Sequence, residues 1–192
     1  MADNQTRLWE ACEDGELQEV LELLQDQTLD IDVNLRDNYY NYTPLIYACR
    51  DGNLEIVELL LNDERVEINL GRKNGSTAFF LACYLGKKEV VELMLKYEGL
   101  DVNKANDWGW TPLMAASFHG YFEIVELVLK KRGREIDLDV KNCDGKSVID
   151  LVRAELNSQK GKYELDVDFN ERRNNCQMVI EVLEAFKQEE NL

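Results

Sequence analysis

The chain has 192 residues, 45% apolar and 31% charged, enough to bury a core without a disulfide or metal staple. Its 22 basic residues against 38 acidic ones give a formal net charge of −16, which argues against nucleic acid and against an anionic membrane surface, because both need a basic face. One histidine, five cysteines without a CxxC pair and no long apolar run remove most zinc sites, most histidine-dependent catalysis and a membrane-crossing helix.

The N-terminal text MADNQTRLWEACEDGE has no apolar h-region, so no signal peptide is expected. Reduced cysteines place the chain in the cytoplasm. The first element carries Thr6, Leu8, Ala11, Cys12 and Gly15, and the next has Val20 and Leu24 with Glu16, Glu19 and Glu22. Residues 38–71 give the clearest unit. Thr43 can cap a helix with its hydroxyl, and Pro44 suits the first helical position. That helix stops at Gly52, a residue fitted to a left-handed C-cap. A second helix over about 54–61 is apolar at Leu54, Ile56, Val57, Leu60 and Leu61, with Glu55 and Glu58 on its other side.

Residues 72–105 and 106–141 repeat this text. Gly52, Gly86 and Gly120 are spaced by 34, as are Thr43, Thr77 and Thr111. The glutamate pair returns as Glu89 with Glu92 and as Glu123 with Glu126. Connectors end in Ile68-Asn69 and Val102-Asn103, and turns follow at Gly75, Gly109 and Gly145, with Asn41 in the earlier equivalent place. Asn tolerates positive φ better than other side-chain-bearing residues. A weaker first copy occupies 1–37, and a fifth, over 142–192, opens at Ser147-Val148-Ile149. Its first helix should run from Ser147 to about Leu156. The polar stretch 157–173 is expected as a surface loop, followed by a helix over 175–187 that is apolar at Met178, Val179, Val182, Leu183 and Phe186. A helix pair this short cannot bury its apolar side alone, so the units must stack as one all-α solenoid domain with two capping ends.

The residues Thr43-Pro44-Leu45 with Ala48 and Gly52, and Thr111-Pro112-Leu113 with Ala116 and Gly120, resemble the ankyrin repeat signature. Ile56-Val57, Val90-Val91 and Ile124-Val125 add its second-helix pattern. The resemblance covers about residues 5–155 and, more weakly, the last helix. The family's signature histidine is replaced by Trp9, Ile46, Phe80, Met114 and Asp150, which bears on stability and not on the fold. The third unit has Ala78-Phe79 for Pro-Leu, so bulkier packing is expected there. The resemblance implies a non-enzymatic protein-binding scaffold that uses turn tips and first-helix ends along a concave side. Asn69 and Asn103 also resemble asparagines that some organisms hydroxylate, beside the plain reading of turn hydrogen bonding.

Mapped onto those positions, the candidate partner-binding residues are Tyr39, Tyr40, Tyr42, Lys73, Asn74, Tyr84, Trp108, Trp110, Phe118 and His119. Tyrosine and tryptophan give large contact area at low entropy cost. The alternative is that these rings stiffen the hairpins by packing on one another. The glutamate pairs read as a solvated outer face. Cys12, Cys49 and Cys83 share one equivalent position, and stacked helices separate such positions by roughly 10 Å, too far for one zinc. Lys130-Lys131-Arg132-Gly133-Arg134 complements a helix end, with nuclear import or an acidic partner as the other reading. No cofactor and no metal is expected. The sequence predicts a monomer that binds one protein partner as adaptor or inhibitor, the alternative being a structural scaffold or self-associating subunit.

Overall fold

The computed structural model describes residues 4–26, 28–158 and 167–190, with the side chains of the last helix from 171 to 189. Helices α1 (Asn4–Asp14), α2 (Leu17–Gln25), α3 (Pro44–Asp51), α4 (Leu54–Leu61), α5 (Ala78–Tyr84) and α6 (Lys88–Met94) come first. They are followed by α7 (Pro112–Phe118), α8 (Phe122–Arg132), a 3-10 turn Gly133–Glu135, α9 (Val148–Ser158) and α10 (Val167–Glu190). There is no strand among the described residues, so the all-helical repeat class expected from the period is the one observed.

The chain forms two compact units, Met1–Asp101 with α1 to α6 and Val102–Leu192 with α7 to α10. In the first, α1, α3 and α5 pack side by side, and α2, α4 and α6 form a second layer on them. Leu8, Ile46, Phe79, Val57, Leu60, Val91 and Met94 are fully buried between these layers. In the second, α9 lies against α7 and α10 against both α8 and α9, over Met114, Val125, Val152, Val179 and Leu183. Each such side chain contributes about 1.5–3 kcal/mol by leaving water.

The caps follow the sequence. The hydroxyls of Thr43, Thr77 and Thr111 accept the amides of Ile46, Phe80 and Met114 at 3.2, 3.1 and 3.2 Å. Gly52 ends α3 at φ 88°, and Asn41 takes φ 58° where the later turns have glycine. Ala78 and Phe79, standing for Pro-Leu, are both fully buried.

The missing histidine is replaced differently in each unit. The Trp9 indole donates to the Leu35 carbonyl at 2.9 Å, tying the first helix to the connector that follows. Ile46, Phe80 and Met114 are core residues. Asp150 closes a capping box, its carboxylate accepting the Ser147 amide at 3.0 Å while the Ser147 hydroxyl accepts the Asp150 amide at 3.3 Å. Connector asparagines supply a further tie. Asn34 donates to the Arg65 carbonyl at 2.7 Å and accepts the Glu67 amide at 2.8 Å. Asn69 does the same with Gly99 and Asp101 at 2.7 and 2.9 Å, and Asn103 donates to the Glu135 carbonyl.

The C-terminal unit differs from the expectation. Helix α9 extends to Ser158, and α10 begins at Val167, so residues 167–173 are helical where a surface loop was expected. The middle of that expected loop, 159–166, lies outside the described residues. The early helix start has a visible tether, because Arg172 of α10 pairs with Glu155 of α9 at 3.1 Å.

Candidate functional site

The hairpin before α3 is built around one carboxylate. Asp37 is 6% exposed, and its oxygens accept the backbone amides of Tyr39, Tyr40 and Tyr42 at 2.6, 2.7 and 2.7 Å. The Tyr47 hydroxyl bonds to the same group. Burial pushes the Asp37 carboxyl up, but these donors together hold it below its usual range. The backbone of the tip is therefore fixed while its rings point outward. Tyr39 is 82% exposed and Tyr40 51%.

Tyr42 behaves differently. It is 9% exposed, stacked on Tyr40 at 5.5 Å and edge-on to Tyr47 at 5.2 Å. Two guanidiniums bracket it, Arg50 and Arg72, each 5.6 Å from the ring centre. Arg50 is held in turn by Glu13 at 2.8 Å and Asp51 at 2.6 Å. Burial and the nearby Asp37 and Glu13 charges push the Tyr47 phenol well up, so it stays a neutral donor.

The next hairpin has Arg72 where Asp37 stood, and Asn74 takes over, accepting the Ser76 amide at 3.1 Å and the Arg72 Nε at 2.9 Å. Lys73 at its tip is exposed. Tyr84, at the end of α5, is 43% exposed and stacks on Phe80 at 6.3 Å.

In the second unit Asn106 does the work of Asp37. Its Oδ1 accepts the amides of Trp108 and Trp110, both at 3.1 Å. Trp108 is 54% exposed at the tip. Trp110 is half-buried and meets Phe118 edge-on at 5.4 Å. Phe118 meets His119, which stacks on Tyr121 at 5.7 Å. Burial, then the Arg172 charge, keep the His119 imidazole below its ordinary value against an opposing pull from Glu155.

The two readings of the aromatic residues therefore divide by residue. Tyr39, Tyr40, Tyr84 and Trp108 are presented to solvent, as is Lys73 at the tip of the next hairpin. Tyr42 is a packed hairpin residue and not an exposed contact, while Trp110, Phe118 and His119 form a half-buried stack. Asp37, Tyr47, Arg72 and Asn106 were not among the expected site residues. A signal for two of them existed: an Asp or Asn a few residues before the turn Asn or Gly, at Asp37 and Asn106, and again at Asn142.

Cys12, Cys49 and Cys83 are buried, and burial pushes their thiols up, away from the thiolate that a nucleophile or metal ligand needs. No group of three metal-ligating side chains converges among the described residues. No helix among them is long and apolar enough to cross a membrane. Glu55, Glu58, Glu89, Glu92, Glu123 and Glu126 are exposed, as a solvated face requires.

A family model described as ankyrin repeats (3 copies) matches residues 1–72 and 64–142. A comparison with curated proteins finds no match.

Proposed function

The chain belongs to the ankyrin repeat family, and from that premise we propose that it is a non-enzymatic protein-binding module whose contacts lie on its aromatic hairpin tips. Ankyrin repeats generally act as protein–protein interaction modules, and that family role is the starting point. The observation that carries the finer reading is the tip at 39–40. Two tyrosines stand open to solvent on a backbone clamped by a buried carboxylate. An exposed ring on a fixed backbone binds with little further loss of entropy, and a tip with no contact role would more often carry small polar residues. Trp108 repeats the arrangement on Asn106. The module acts as an adaptor or inhibitor by covering one surface of a protein partner. Free cysteines, four of them buried, suit a reducing compartment, the cytoplasm.

The test is retention of a partner from native lysate by immobilised wild type beside a Tyr39→Ser/Tyr40→Ser/Trp108→Ser variant of matched thermal midpoint. A protein held by wild type and lost by the variant supports the tips as the contact. A protein held equally by both moves the contact to the acidic helices. A mass that rises with concentration in sedimentation, and falls back in the variant, makes the partner a second copy of this chain.

A further inference from the structure

The second helix of the fourth repeat departs from its counterparts. Helices α4 and α6 have 8 and 7 residues, whereas α8 has 11 and continues into the 3-10 turn. Thr43 to Thr77 and Thr77 to Thr111 are 34 residues each, and Thr111 to Ser147 is 36. The added length falls on Lys130-Lys131-Arg132-Gly133-Arg134, four cations in five residues of a chain with 38 acidic ones. A helix C-terminus gains from a single cation, and α6 has Lys96 alone at that place. Adjacent like charges repel, so the helix dipole does not account for four.

Of these four cations, Arg132 alone has an ion-pair partner among the described residues. Arg132 is paired with Glu135, its Nη2 at 2.6 Å from Oε2, which locks the 3-10 turn. Gly133 sits so close to α10 that a Cβ there would lie 2.7 Å from the Phe186 ring. Lys130, Lys131 and Arg134 are exposed and make no ion pair among the described residues. With Leu129, Phe186 and Glu189 they line an open surface groove of about 700 Å³. Small-ligand sites have about 300–1,000 Å³.

We propose that this groove binds a small phosphate monoester, with the phosphate held by Lys130, Lys131 and Arg134 and its apolar substituent against Phe186. A phosphate monoester carries a charge of about −1.5 to −2 and three acceptor oxygens, which suits three separate cationic donors. Glu135 is neutralised by Arg132, and Glu189 trims the remaining excess to the scale of one dianion. Duplex nucleic acid or an anionic bilayer would also bring phosphates against the rest of a chain of net charge −16. A compact ligand within a screening length of about 8 Å meets chiefly the local cations. The aromatic floor separates a monoester on an apolar group from bare phosphate.

The experiment titrates the full chain with phenyl phosphate, inorganic phosphate and phenol, following the Gly133 and Arg134 amides by NMR. Phenyl phosphate should bind with a dissociation constant of about 0.1–1 mM, at least about tenfold tighter than either fragment. A Lys130→Gln/Lys131→Gln/Arg134→Gln variant, altered only at exposed side chains, should lose at least about tenfold. Phe186→Leu, with helical content checked by circular dichroism, should bind phenyl phosphate no better than inorganic phosphate. Unchanged affinity in the triple variant, equal affinity for phenyl phosphate and inorganic phosphate in wild type, or no shift at about 10 mM overturns the proposal.

Discussion

Asp37 and Tyr42 are joined twice: the Asp37 amide donates to the Tyr42 carbonyl at 2.9 Å, and the Tyr42 amide donates to the Asp37 carboxylate at 2.7 Å. Asn106 and Trp110 repeat the pair at 3.0 and 3.1 Å, and Asn142 and Lys146 at 3.0 and 3.0 Å. One side chain thus sets the shape of each of these turns, and the exposed tip residues ride on it.

Removing that side chain should be costly where it is a buried carboxylate. Asp37→Ala leaves three amides and the Tyr47 hydroxyl without their acceptor, and we expect a loss of about 2–3 kcal/mol in urea unfolding. Asp37→Asn should lose about 1 kcal/mol, because an amide oxygen already serves at Asn106 and Asn142. Equal losses in the two variants would mean that the charge matters more than the geometry.

The same residue predicts a pH dependence. The Asp37 carboxyl is held below its unfolded value of about 3.9, so its contribution is present above that pH and is lost as pH falls through the lower folded value. The stability gap between wild type and Asp37→Asn should be flat from neutral pH to about 5 and narrow below about 4. Urea midpoints at several pH values measure this, and a gap that widens on acidification would remove the carboxylate as its source.

Ser117 occupies the position of Cys12, Cys49 and Cys83, one period on. Its hydroxyl is fully buried with no hydrogen-bond partner among the described residues. Ser117→Cys or Ser117→Ala should therefore raise stability by about 1 kcal/mol, read as an upward shift in thermal midpoint. A lower midpoint in both variants would show that the hydroxyl is satisfied in solution.

Asn69 bridges two backbone groups of the next connector, Gly99 and Asp101. Asn69→Ala should cost about 1–2 kcal/mol and speed amide exchange at Asp101 before it affects α3. Asn69→Asp keeps the acceptor and loses the donor, so it should fall between the two.

Gly109 and Gly145 have φ of 72° and 73°, but only Gly109 is crowded, with a Cβ placed 2.9 Å from the Asn142 Cα. A Cβ on Gly145 meets nothing within 4 Å. Gly145→Ala should cost about 1 kcal/mol, the left-handed penalty alone, and Gly109→Ala clearly more. Matching losses would mean that the neighbouring backbone yields freely.

The repeat period made most of the fold legible. Three copies in register set the helix pairs, the threonine caps and the buried apolar positions, because each is a local pattern read within a few residues. The start of α10 was not legible. Residues 167–173 are polar with no sustained apolar stripe, and helical structure there accompanies the Arg172–Glu155 tie across to α9.

By itself the sequence determined the repeat class, the acidic outer faces and the group of tip residues from which a contact surface could be drawn. Only the tertiary structure decided which of those rings are open. Tyr39, Tyr40 and Tyr42 are the same residue type within four positions, yet Tyr42 alone is buried, because Tyr47, Arg50 and Arg72 close over it. Arg72 comes from the following repeat, 30 residues away. Burial is a property of what packs against a side chain, and a neighbour supplied by the next unit leaves no mark in the local text.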